Sequence, residues 1–402
     1  MKILFVTSYY SALQKSIEED RWHPVGMPAI TKLFEGLKKR DIYFEPFFVQ
    51  RNAAKDEFYR LKNTTFNVNV SIIKITKKID IKYIRPFGRS YNSILLYRKI
   101  KKSCKDYDLI YVDRANLIVG AFFAFSGKRV VLRLHGVTDF YETFSRLIYK
   151  IMNPLKLLCL RAPFKYIICS EDGSPGKEFL QKYTRADRSV ILLNGVDKHL
   201  KDKPLSRIKN DHLMPGGMSC FLFLSRLSKD KGIIDFIKVI NEIQKNRKDF
   251  YVIIVGDGEC RREVEEMIER YALENILLTG SVSHSNVYDY YLLSDVYISL
   301  NKLGNLSNTV LEAVNSVKCI ITLGKSKKPL KDVSTYEFFG DSALYVDRDN
   351  IEESLFKVIN CILDAPELLA TKKKELERCK SKLMSWDERI EEEIILLESI
   401  RS

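Results

Sequence analysis

The chain has 402 residues, 46% hydrophobic and 29% charged, with a net charge of +14 at pH 7. That length exceeds what one hydrophobic core usually organises, so two domains are expected, and the composition is that of a soluble globular protein. Met1–Ser8 is too short an apolar run for a signal peptide or spanning helix, and no later window approaches about 18 apolar residues, which gives a cytoplasmic expectation.

Apolar runs of strand length alternate with amphipathic helix-length segments, the pattern of parallel sheets built from βαβ units. In the first half the expected strands are Lys2–Thr7, Ile42–Val49, Val70–Ile75, Leu109–Val112, Arg129–Leu134, Lys165–Cys169 and Ser189–Leu193. In the second they are Cys220–Leu224, Phe250–Val255, Asn275–Leu278, Val296–Leu300, Lys318–Thr322 and Ala343–Val346. Two such series imply two Rossmann-like units. Between them Lys198–Met218, polar, basic and punctuated by Pro204, Pro215, Gly216 and Gly217, reads as a connector. From Trp386 a closing helix carries Ile390, Ile394, Leu397 and Ile400 on one stripe, which must pack on something.

The charge is uneven. Residues 1–200 hold 36 Lys and Arg against 19 Asp and Glu, a net of +17, and the remainder is −3. The excess concentrates between Arg51 and Lys105, which suits anionic lipid headgroups, a phosphorylated acceptor or nucleic acid, or simply a solvated basic face. Tyr91–Cys104 and Phe140–Leu160 mix aromatic and aliphatic residues with Lys and Arg, as an interfacial surface or a core helix with a basic outer face would. The eight cysteines, Cys104, Cys159, Cys169, Cys220, Cys260, Cys319, Cys361 and Cys379, show no paired spacing for zinc or a redox dithiol, so reduced and mostly buried thiols are expected and no metal site.

Beyond the strand ends of the second half come Ser225-Arg226-Leu227 with Lys231-Gly232, then Gly256-Asp257-Gly258, then Gly280, then a Gly/Asn/Ser-rich loop into Leu311-Glu312-Ala313. In open parallel sheets nucleotides bind in the crevice outside those ends. One Arg, one Lys, loop amides and one carboxylate could thus converge on a nucleoside diphosphate. Ser307, Asn308 and Thr309 would present amides at a helix start, while Glu312 is either a ligand or a complement to the helix dipole. Gly256-Asp257-Gly258 is not a dinucleotide fingerprint, because Arg261 stands at the third glycine position.

These segments, with Leu278-Thr279-Gly280-Ser281-Val282, Val310-Leu311-Glu312-Ala313, Asn194-Gly195-Val196-Asp197 and Ser385-Trp386-Asp387, resemble the retaining glycosyltransferases often called family four. The resemblance implies the GT-B fold: two Rossmann-like α/β parallel-sheet domains facing a cleft, the closing helix crossing back to the first. The expected domains are 1–196 with 386–402 for the acceptor and 197–385 for the nucleotide sugar.

By that resemblance Arg226 and Lys231 hold the donor pyrophosphate and Glu312 accepts from the ribose hydroxyls. Gly256, Gly280 and Val282 would line the nucleotide through backbone. Gly26, after Trp22-His23-Pro24-Val25, would face donor and acceptor, and His135, followed by Gly136, would reach the donor sugar, orienting it and supporting charge. The donor is a UDP-, GDP- or ADP-sugar with no other cofactor and no metal, and the acceptor a glycan or lipid-linked molecule used in surface glycan assembly at the inner membrane face. The leaving phosphate would deprotonate the acceptor.

The chain departs from the family's pair of glutamates eight positions apart, because Gly304 stands eight before Glu312. Asn301, Asn305 or Asn308 can take the missing carboxylate's place, since amides both donate and accept. The alternatives are another donor sugar, a crippled enzyme, or a non-catalytic binder of nucleotide sugar or glycan. A nucleic-acid partner is not expected, for no recognised motif or aromatic stacking platform accompanies the basic region.

Overall fold

A computed structural model describes the chain except residues 23–26, 52–55, 63–66, 76–84, 139, 141–143, 145–146, 186–187, 198–216, 318, 326–331 and 401–402. It divides into two compact units: unit 1 is Met1–Glu171, Gly176–Leu193 and Trp386–Ser402, and unit 2 is Asp172–Pro175 and Asn194–Ser385. The division falls three residues before the expected boundary, and Asp172–Pro175 groups with unit 2 although its flanking residues belong to unit 1.

Unit 1 is built on β1 (Lys2–Ser8), β2 (Tyr43–Arg51), β3 (Glu57–Lys62), β4 (Asn67–Ile75), β5 (Leu109–Asp113), β6 (Val130–Leu134), β7 (Tyr166–Glu171) and β8 (Ser189–Leu193), in sheet order β3-β4-β2-β1-β5-β6-β7-β8. All neighbours are parallel except the edge pair β3/β4. Period-two alternation sends Leu4, Val6, Ile110 and Val112 into one core and Ile3, Phe5, Leu109 and Tyr111 into the other, so both faces are covered. β3 went unread in the sequence. Its EFYRLK pattern buries Leu61 but leaves Phe58 exposed, so it lacks the apolar run of a central strand.

The helix Trp386–Ser399 packs on the helix Pro28–Lys39 of the same unit, where a β-carbon on Gly36 would lie 2.5 Å from Ile390 Cγ2. Its stripe holds more than aliphatics. Glu393, fully buried, accepts from Arg133 Nη1 at 3.0 Å, Arg389 Nη2 at 2.8 Å and the Tyr111 hydroxyl at 2.6 Å. Burial pushes the carboxyl up, but the two guanidiniums outweigh it and hold it below its ordinary range.

Unit 2 contains β9 (Ser219–Leu224), β10 (Phe250–Val255), β11 (Ile276–Gly280), β12 (Val296–Ser299), β13 (Cys319–Leu323) and β14 (Leu344–Val346), all parallel in the order β11-β10-β9-β12-β13-β14. This is a doubly wound sheet. Connections leave β9 towards one edge and β12 towards the other, so the switch point, where such sheets open a ligand crevice, lies beyond the ends of these two strands. Seven of the eight cysteines are buried and Cys361 is exposed.

Candidate functional site

The switch-point crevice in unit 2 is lined by Ser225, Lys231, Tyr297, Asn301, Ser307 and Thr309 among others and holds about 230 Å³ of empty volume, part of it open to solvent. Arg226 lies in the short loop after β9, and Lys231 ends the 3-10 turn Lys229–Lys231 that follows it. Arg226 is exposed, with no ion pair among the described residues. The Lys231 ammonium is mostly buried, and its nearest carboxylate is Asp230 at 4.0 Å. Burial lowers its pKa, Asp230 opposes that shift, and the charge of Arg226 reinforces it. Two cations close enough to repel, one partly stripped of water, form a site whose electrostatics an anion relieves.

The glycines act through backbone contact. A β-carbon on Gly256 would lie 1.9 Å from the Ser225 carbonyl, and one on Gly258 2.4 Å from that of Leu227. Leu227 N donates to Asp257 O at 2.9 Å and Cys260 N to Leu227 O at 2.9 Å, which zips the loop carrying Arg226 to the loop after β10. Gly256 therefore fixes the loop carrying Arg226 by packing, and Gly256 N donates to Gly280 O at 2.9 Å to extend the zip towards Val282. At Gly280 a side chain would meet Arg261 Nη1 at 2.6 Å.

The short helix Asn308–Val314 follows Ser307, whose hydroxyl does not cap it but lies 3.0 Å from Thr309 Oγ1. Asn308 Oδ1 accepts from Asn194 Nδ2 at 2.7 Å. The Tyr297 hydroxyl bridges Leu224 O at 3.0 Å and Thr309 Oγ1 at 2.9 Å. That of Tyr291 bridges Thr309 O at 2.9 Å and Glu312 Oε2 at 3.2 Å. The other Glu312 oxygen faces His284 Nε2 at 3.2 Å. Glu312, Asp197, His284, Tyr288 and Tyr291 line a second cleft of about 280 Å³. The two tyrosines tie the end of β9 to Glu312, a link the sequence hid, since both lay in segments read only as helix and strand.

Asn305 is not available as a sugar ligand. Fully buried, it donates to Asn301 O at 2.9 Å and Asp332 Oδ2 at 2.6 Å, and accepts from Ser299 Oγ at 2.8 Å and Asn301 N at 3.1 Å. All its amide capacity is spent inside the loop. Asn301 is likewise engaged, with Gly304 O and Leu303 N. Asp332 closes this network with Arg348 and Thr335.

At Gly304 a β-carbon would lie 2.5 Å from Asp172 O and 3.0 Å from Ser174 N, and at Gly173 one would lie 2.5 Å from Asn305 N. Leu306 N donates to Asp172 O at 3.1 Å. The backbone of 172–174 thus occupies the space into which a residue-304 side chain would grow.

His135 belongs to unit 1. Its Nε2 is buried without a hydrogen-bond partner, and burial, aided by the Arg133 charge, lowers its pKa to about 3. A pKa that low keeps the imidazole neutral at pH 7, where it can form a hydrogen bond with a hydroxyl. Gly26 and most of the connector 198–218 lie outside the described residues.

Residues 206–375 match the family described as Glycosyl transferases group 1. The chain is similar to an uncharacterised glycosyltransferase of Methanocaldococcus jannaschii, 27% identical over 61% of this chain and 58% of that protein. It is also similar to a Campylobacter jejuni α-1,4-N-acetyl-D-galactosaminyltransferase acting on an undecaprenol-diphosphate-linked glycan, 23% identical over 67% of this chain and 68% of the other. The matched stretch spans about half the length of the first curated relatives. Among solved structures, Anabaena HepE with UDP and glucose superposes at a TM-score of 0.69 and 17% identity, covering 99% of this chain and 100% of that one.

Proposed function

We propose that the chain, which has the GT-B fold and matches the group 1 glycosyl transferase family over residues 206–375, is such a transferase, and that unit 2 binds a nucleoside diphosphate sugar whose sugar passes, with retention, to a glycan or lipid-linked acceptor. The observation that carries this is the pairing of Arg226 and partly desolvated Lys231 at the switch point of a doubly wound sheet. Breaking the bond between sugar C1 and the β-phosphate oxygen leaves charge on the diphosphate, which these fixed cations stabilise without a metal. The new bond forms from the acceptor oxygen to C1 on the same face, and the acceptor proton passes to the departing phosphate oxygen.

Glu312, held by Tyr291, is placed in this reading at the ribose. Neutral His135 serves as a hydrogen-bonding group for the sugar. The acceptor is assigned to unit 1, most of whose sequence lies in the +17 half of the chain. Its lipid-linked class is suggested by the Campylobacter relative, and with it a role in surface glycan assembly at the inner membrane face. No helix among the described residues is long and apolar enough to cross a membrane.

The test is incubation with UDP-, GDP- and ADP-sugars plus lipid-extracted acceptor, following acceptor-dependent release of nucleoside diphosphate. A second reading, a binder without turnover, is favoured by Gly304 alone. Tight donor binding with no release under acceptor excess would select it.

A further inference from the structure

Unit 1 exposes large aliphatic side chains on two consecutive short helices. In Leu147–Met152, Leu147, Ile148 and Ile151 are 71, 63 and 69% exposed, and in Pro154–Leu160 Leu158 is 58% exposed. The second helix is anchored from behind, with Cys159 and Leu160 buried and Leu155 and Leu157 packed on the core. It rests on the helix Leu117–Phe125, whose last residue, Phe125, is 53% exposed. Residues 147, 148 and 151 fall on one stripe of a helical turn. Grouped exposed aliphatics of this kind mark an interaction surface, whereas scattered ones do not.

Charge identifies the occupant. From Phe144 to Ser170 the sequence has five basic residues, Arg146, Lys150, Lys156, Arg161 and Lys165, and no acidic one. Arg161, directly after the second helix, and Lys165 are exposed. A second copy would set the same cations against one another. A bilayer with anionic headgroups offers an apolar interior beneath a negative layer, complementary to both features.

We propose that the face formed by helices Leu147–Met152 and Pro154–Leu160 docks on an anionic lipid bilayer. Leu147, Ile148, Ile151 and Leu158 enter the acyl boundary while Lys150, Arg161 and Lys165 stay at headgroup level. This deepens the lipid-linked acceptor reading and rests on it for its purpose, but the binding is measurable without turnover.

The test is co-sedimentation of the full chain with vesicles of phosphatidylcholine alone or mixed with phosphatidylglycerol. The wild type should bind the mixed vesicles, more weakly as salt rises. The variant Ile148→Ser/Ile151→Ser/Leu158→Ser should partition at least tenfold less with unchanged melting, and Arg161→Glu/Lys165→Glu should lose the preference for the anionic lipid. Equal partitioning of the triple-serine variant and wild type overturns the proposal. So does no binding by the wild type, or self-association that the same substitutions abolish, which would assign the face to a second copy. Vesicle binding by a chain that binds no nucleoside diphosphate leaves this surface standing and defeats the enzymatic reading; the converse defeats the surface alone.

Discussion

The carbonyl oxygen of Asp172 accepts a hydrogen bond from Leu306 N at 3.1 Å and lies 2.5 Å from where a β-carbon on Gly304 would stand. The backbone of 172–174 therefore fills the space into which a carboxylate side chain at position 304 would grow. Gly304→Ala should destabilise unit 2 by about 1–3 kcal/mol, the cost of overpacking a tight contact, and Gly304→Glu by at least as much. Denaturant melts of both variants check this. Wild-type stability in Gly304→Glu would show that the 172–174 segment yields easily.

Replacing Lys231 should separate binding from folding. Its ammonium is partly desolvated and feels the charge of Arg226, so Lys231→Met should leave the melting temperature unchanged or raised. Its turnover should nonetheless fall by roughly 10² or more, as when a group stabilising transition-state charge is removed. A variant that loses stability and activity together would mark Lys231 as a structural cation.

Among the described residues, Glu393 is the sole carboxylate in the bonds and ion pairs of buried Arg133 and Arg389. Glu393→Ala should cost unit 1 about 3–5 kcal/mol, because it strands buried cations. Hydrogen exchange should show the helix Trp386–Ser399 opening first. A loss below about 1 kcal/mol would mean that water enters and screens the pair.

His135 should govern part of the acid sensitivity. Its pKa is about 3 in the folded chain and about 6.5 when unfolded. The unfolded state thus takes up the proton first. The stability held by the neutral ring is complete above about pH 6.5 and drains towards pH 3, by up to about 1.4 kcal/mol per pH unit. In His135→Gln the slope between pH 6.5 and 5 should be shallower than in wild type, and parallel slopes would contradict this.

Much of the scaffold was legible because a central parallel strand must be apolar on both faces, which β1, β9 and β10 display as continuous runs. β3 escaped because an edge strand needs only one buried side. Arg226 and Lys231 were visible because they follow β9 within seven residues and share one loop. What stayed hidden depends on distance in sequence. Nothing near Glu393 announces Arg133, 260 positions away, nor does Gly304 disclose that Asp172 will lie against it. Asn305 misled because composition shows that an amide can bond a sugar, not that four hydrogen bonds from three neighbours already occupy it.

The central claim, that Arg226 and Lys231 together hold a diphosphate, is tested most directly by isothermal titration of UDP, GDP and ADP into the wild type, Arg226→Ala and Lys231→Ala. The account predicts saturable binding of at least one of these nucleotides and a loss of about tenfold or more in each variant, the weight of one charge-assisted hydrogen bond. Absence of binding by the wild type, or wild-type affinity in both variants, would contradict it.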